Sequence, residues 1–108
     1  TITFDQFKAV EIRVGQIVSC EEIAKSDKLY KLQVDFGTFG KKQICSGIKK
    51  YYTQEQLLNK KALFVYNLAP RMLCGYESAG MILAAEDNKG TPGVCFIPET
   101  ISNGVLIG

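Results

Sequence analysis

The chain contains no histidine. That removes the commonest general base, the usual partner of a serine or cysteine nucleophile, and the side chain that changes charge near neutral pH. The four cysteines, Cys20, Cys45, Cys74 and Cys95, stand 25, 29 and 21 residues apart with no CxxC pair. The usual zinc sites and the thioredoxin-type redox motif are therefore missing. Scattered cysteines behind no secretory signal pattern read as reduced thiols of a cytosolic protein rather than as a disulfide framework. No apolar run approaches the roughly 20 residues that span a membrane. The longest, 62–69, is broken by Asn67 and ended by Pro70. Phosphate loops and the G-x-S-x-G elbow are missing too, so catalysis, a metal and a cofactor are all unexpected.

What remains is the profile of an ordinary globular fold: 108 residues, 46% hydrophobic and 22% charged, with ten glycines and three prolines. That length suits one domain, 1–108, with one core. The first residue, Thr1, is small enough to follow a removed initiator methionine, and a cut from a longer chain would look the same.

The formal charge of +2 conceals a basic middle. Between positions 25 and 61 nine lysines (25, 28, 31, 41, 42, 49, 50, 60 and 61) face three carboxylates, Asp27, Asp35 and Glu55, a net of +6. The flanks carry four cations against eight carboxylates, a net of −4. Lysines with Tyr30, Tyr51 and Tyr52 between them suit a surface that tracks phosphates and stacks bases. A solvated lysine-rich face would have the same composition.

Periodicity supplies the elements. Thr3 and Gln6 fit a capping box around a single helical turn, and 11–20 reads as a strand with Gly15 at a bulge or bend. Over 30–36 the even positions are Tyr30, Leu32, Val34 and Phe36, and the odd ones Lys31, Gln33 and Asp35. That alternation is a strand with one buried face. After a turn at 37–40 comes a third strand, 42–48, and then Thr53 and Gln56 cap a short helix. Segments 61–68, 81–86 and 94–97 read as further strands, with a turn at 87–90, and 105–107 as a segment closing an edge. This order predicts an all-β fold: a five-stranded Greek-key barrel of the oligonucleotide-binding (OB) kind, with a short helix between strands 3 and 4 and terminal extensions. Small barrels of the SH3 type would give a similar pattern.

Three segments, SDKLYKLQVDFG (26–37), ICSGIKKYY (44–52) and NLAPRMLCGYESAGMILAA (67–85), resemble the tRNA-binding domain family. Its members include free-standing homodimeric tRNA-binding proteins, C-terminal domains of methionyl-tRNA synthetases and of eukaryotic synthetase cofactors, and a small bacterial chaperone-like protein. The resemblance runs from Phe4 to about Val105. It implies a cytoplasmic, non-catalytic homodimer that grips the outer corner of the tRNA L by shape, free-standing or as the C-terminal domain of a methionyl-tRNA synthetase, with tRNA as partner, an aminoacyl-tRNA synthetase as a candidate second partner, and no membrane. A chaperone-like dimer that holds extended polypeptides is the alternative.

Carried over, the family's RNA-facing positions fall on Lys28 and Lys31 of the second strand, Lys42 and Ser46 of the third, Asn67 and Arg71 around the fourth, and Ser78 and Met81 in the ESAGM segment. The lysines offer salt-dependent, sequence-blind contacts to phosphate. Ser46 and Ser78 can donate and accept at once, which suits a 2′-hydroxyl, and equally can be satisfied by local backbone. Asn67, polar within an apolar strand, either bonds inside the fold or faces a ligand. Met81 starts an apolar strand and reads as core, unless the resemblance makes it a flexible ribose or base contact. Met72 and Cys74 stand where relatives carry basic residues, leaving Arg71 the sole cation of its loop, and Ala79 replaces a common acidic or amide residue.

Overall fold

The computed structural model describes residues 1–108. The chain is all-β, as its periodicity predicts. Helix α1 (Phe4–Lys8) opens it, with Thr3 and Gln6 forming the expected capping box, and none of its residues is buried. Strand β1 (Ile12–Glu22) pairs antiparallel with β2 (Tyr30–Asp35), which pairs with β3 (Lys41–Ser46) across a 3-10 turn at Gly37–Phe39. Helix α2 (Gln54–Leu57), with its own Thr53 and Gln56 box, leads to β4 (Lys61–Val65) on the other side of β1.

Several boundaries differ from expectation. Gly15 is not the bulge, because the register of β1 against β2 slips between Ile17 and Ser19. The glycine is needed for close packing: a Cβ there would meet Val34 at 2.5 Å, Phe36 at 2.8 Å and Phe64 at 2.9 Å. The third strand stops at Ser46 and the fourth at Val65, so Asn67 lies beyond the strand. Between them and the end of the chain, six short strands replace the long ones expected. A hairpin of β5 (Arg71–Leu73) and β6 (Tyr76–Ser78) is tied by a two-residue turn in which Cys74 (φ 50) and Gly75 (φ 83) are both left-handed. That is the conformation a tight hairpin favours. The 81–86 segment splits at Leu83 into β7 (Met81–Ile82) and β8 (Ala84–Glu86), since the Leu83 N–H donates to Leu63 O. Strand β8 pairs with β9 (Pro92–Val94) across the predicted 87–90 turn, and β10 (Phe96–Ile97) joins β4. The terminal segment does close an edge: Leu106 bridges to Arg13, and Val14 and Ile107 exchange backbone bonds with Val105 and Ile12.

The main sheet runs β10-β4-β1-β2-β3, and β4 also pairs with β7. Two hydrogen bonds tie the outer edge of β3 to the approach of β7: Ala79 N–H to Gln43 O at 2.8 Å and Cys45 N–H to Ser78 Oγ at 2.9 Å. The sheet thereby curls back on itself around a core that includes Ile17, Leu32, Val34, Phe36, Ile44 and Phe64. Phe36 and Phe64 meet edge to face at 5.6 Å, a pairing worth about 0.5–1.5 kcal/mol beyond burial.

Candidate nucleic-acid interface

The eight residues carried over from the resemblance divide into two groups according to whether their polar atoms are already engaged. Ser78 is 2% exposed. Its hydroxyl accepts from Cys45 N–H and donates to Gly80 O at 3.4 Å, so it is sealed into the join between β3 and β7. Asn67 is exposed, and both ends of its amide are engaged: its Oδ1 accepts from Glu11 N–H at 2.9 Å and its Nδ2 donates to Ala9 O at 2.8 Å. It clamps the stretch between α1 and β1. Lys42 sits 3.8 Å from the centroid of the Tyr66 ring and donates to Tyr66 O at 2.6 Å. Its ammonium holds the end of β4 in place.

Lys31 lies on the polar face of β2 as alternation predicts, directly across from Glu21 on β1. Its Nζ is 3.8 Å from the Glu21 carboxylate and 4.3 Å from the centroid of the Tyr76 ring. The ring and the carboxylate restrict the ammonium at the surface. Tyr76 had no signal in the sequence, because its position depends on the Cys74–Gly75 turn, which lacks the usual Asn-Gly or Asp-Gly pair.

Lys28 is not on the second strand. It is exposed in the loop before β2, a loop shaped by Ser26 Oγ, which accepts from the N–H groups of Lys28 (3.2 Å) and Leu29 (3.1 Å). Lys49 N–H donates to Lys28 O at 3.1 Å, fixing the loop to the segment after β3. Arg71 is exposed on β5, opposite Ser78.

Met81, at 44% exposure, is a surface residue and not core. It shares an open cleft of about 430 Å³ with Ser46. Ser46 is only 9% exposed, yet its hydroxyl forms no hydrogen bond within the chain and is not sealed from solvent. Of the three tyrosines in the basic block, two are structural. Tyr30 donates to Tyr52 O, and the Tyr52 hydroxyl bonds Pro92 O and Val94 N–H. Tyr51 alone is exposed, at 47%.

The lysines of the middle block divide in the same way. Lys49 pairs with Glu22 at 3.3 Å and donates to Ser26 O, and Lys61 donates to Glu99 O and Ile101 O. Lys50 pairs with Asp27 at 3.7 Å between exposed side chains, a contact that water screens. Lys25, Lys28, Lys41 and Lys60 are exposed and make none of the ion pairs.

Two of the cysteines, Cys20 and Cys45, are buried thiols. All four are free. Burial, reinforced by Glu21, Glu22 and Glu55, pushes the Cys20 thiol up to about 11, and burial outweighs the nearby Lys31 to raise Cys45 as well. Both stay protonated at neutral pH, and no metal-holding group of side chains forms.

A curled β-sheet with free cations, an exposed tyrosine and an open polar cleft defines a binding module suited to a polyanion. The chain belongs to the tRNA-binding domain family, whose model, described as a tRNA binding domain, matches residues 12–106. A methionine–tRNA ligase of Chloroherpeton thalassium is 49% identical over 90 residues, covering 83% of this chain and 13% of that protein, so the chain spans a small part of the synthetases it matches. The crystal structure of a MetRS-related protein from Pyrococcus horikoshii is 34% identical with a TM-score of 0.95, covering 100% of this chain and 98% of that one. The CsaA chaperone protein of Picrophilus torridus is 30% identical with a TM-score of 0.85, each chain covered in full.

Proposed function

We propose that this chain is a single, non-catalytic, cytosolic OB-type domain that binds tRNA by shape at the outer corner of the L, free-standing or as the C-terminal domain of a methionyl-tRNA synthetase. The observation that carries the reading is family membership across the whole sheet, joined to a surface where Lys25, Lys28, Lys41 and Arg71 remain available to phosphate. Such contacts position RNA without reading its sequence, and serine hydroxyls and a flexible methionine can then fit ribose and base surfaces.

The domain works as a homodimer in this reading. Helix α1 buries none of its own residues, and Phe4 is 68% exposed beside a hollow lined by Phe7, Val10, Leu106 and Ile107. A second copy would cover this end, since contiguous apolar surface on a small domain marks an interaction site. Light scattering should return twice the chain mass of 11.9 kDa. A monomer mass at high micromolar concentration would remove the dimer.

Likeness to a chaperone protein favours a second reading, in which the dimer holds extended polypeptide. Filter binding with total tRNA discriminates: a tRNA-binding domain retains it saturably, whereas a peptide binder retains little.

A further inference from the structure

Tyr51 separates two hollows. On one side is the 430 Å³ cleft, whose walls include Ile48, Met81 and Pro92, with Ser46 and Glu86 in its lining. On the other is a smaller hollow of about 260 Å³ lined by Lys49, Lys50, Thr53 and Glu55. The first sets apolar walls beside two hydroxyl-bearing residues, Ser46 and Tyr51, and one carboxylate, Glu86, a mixed lining that suits a planar heterocycle with N–H donors. The second carries Lys49, which is already paired with Glu22, and Lys50, which exposed Asp27 holds only loosely at 3.7 Å. A cleft of mixed lining, an exposed aromatic ring and a hollow with the loosely held Lys50, in that order, match the base, the stacking surface and the phosphate of one nucleotide.

We propose that this pair of hollows holds a single unstacked nucleotide of the bound RNA. Its base enters the larger cleft against the Tyr51 ring and bonds Ser46 Oγ, while its phosphate lies toward Lys50. Glu86 accepts from base N–H groups, which favours guanine, the base that presents two neighbouring donors, N1–H and N2–H. The inference rests on the tRNA-binding reading and adds a base-sized site to it.

Two observations bear on Ser46. The Ser46 hydroxyl forms no hydrogen bond within the chain and keeps contact with solvent, and Ser46 is part of the cleft lining. Ser78, of the same residue type, is bonded to Cys45 N–H and Gly80 O, so the two serines differ in what remains free to bond a ligand.

The test has two arms. In the first, the 15N-labelled protein is titrated with 5′-GMP, AMP, CMP and UMP at millimolar concentration, and with inorganic phosphate as control. GMP should move amide signals of 46–51 and 81–92 most, and phosphate alone should leave 81–92 unmoved. No response in 46–51 and 81–92 to any nucleotide, or an equal response to phosphate, overturns the site. In the second arm, Tyr51→Ala should weaken tRNA binding roughly 5- to 100-fold, the range of one lost base stack, while Tyr51→Phe keeps near-native affinity. Because Tyr51 is exposed, neither change threatens folding. Equal binding by Tyr51→Ala and the native protein overturns the inference and leaves the tRNA reading standing. A native protein that retains no tRNA removes the broader reading, and the mononucleotide arm still judges the cleft.

Discussion

Ser78 and Ser46 meet the same end of β3, Ser78 through the Cys45 N–H next to Ser46, and do opposite things. Around Ser78 the chain between β4 and β7 crosses β3, and the polar groups there are engaged internally: Ser78 with Cys45 and Gly80, Gln43 with Gln33 and Glu77, Lys42 with Tyr66. One residue on from Cys45, Ser46 lines a cleft together with Met81 and Tyr51. The contrast teaches that residues of one motif serve different purposes. Some build the frame, and the surface available to RNA is set by those the frame leaves over.

The largest effect expected within the frame is on stability at high pH. The Cys20 thiol titrates near 9 when exposed and at about 11 in the fold. A raised pKa means that the folded state keeps its proton longer, so this contribution is fully present below pH 9 and is lost as pH rises from 9 to 11. The loss amounts to about 2–3 kcal/mol, from about 1.4 kcal/mol per pH unit. Urea melts at pH 7 and pH 10.5 should show it, and Cys20→Ala should flatten the difference. An identical pH response in that variant would place the loss elsewhere.

Next in size is Ser78→Ala. It strands the buried Cys45 N–H, which should cost about 1–3 kcal/mol in chemical denaturation. Refolded protein should still bind tRNA with native affinity, and a large affinity loss with unchanged stability would move Ser78 back to the interface.

Lysines sharpen the division further. Lys28→Ala should lower the salt dependence of tRNA binding by about 0.7–0.9 in log–log slope, the share of one phosphate contact. Lys42→Ala should leave that slope alone and instead lower the unfolding midpoint, because its ammonium already serves Tyr66. Interchanged outcomes would reverse the assignment of these two residues.

The smallest expected change is Ser46→Ala. Stability should stay within about 0.5 kcal/mol, since no internal bond is lost. tRNA affinity should fall severalfold, and a clear loss of stability would return Ser46 to the frame.

Much of the fold was legible before any coordinates, for local reasons. The alternation over 30–36 forced one face of β2 inward, and the two Thr-x-x-Gln boxes marked both helices. The β5–β6 hairpin was not, because its left-handed turn is made by a cysteine and a glycine and carries no familiar turn pair. Gly15 announced a special backbone position, but whether it was a bulge or a close approach depended on Phe64, which is 49 residues away in the chain. The site was less legible than the fold. Serine at 46 and serine at 78 are the same letter, and only the long-range crossing of β3 decides which hydroxyl is sealed. Tyr51 was visible as one of three tyrosines, but the sequence held nothing to separate it from the structural pair Tyr30 and Tyr52.

In the proposed function, exposed cations on this surface hold tRNA through its phosphates. That function is tested most directly by the equilibrium binding constant of the native protein for tRNA, measured across a series of salt concentrations. With about four to six phosphate contacts, log K should fall linearly with log salt at a slope of about −3 to −5. Binding that is absent, or that persists with a flat salt response, would contradict the account.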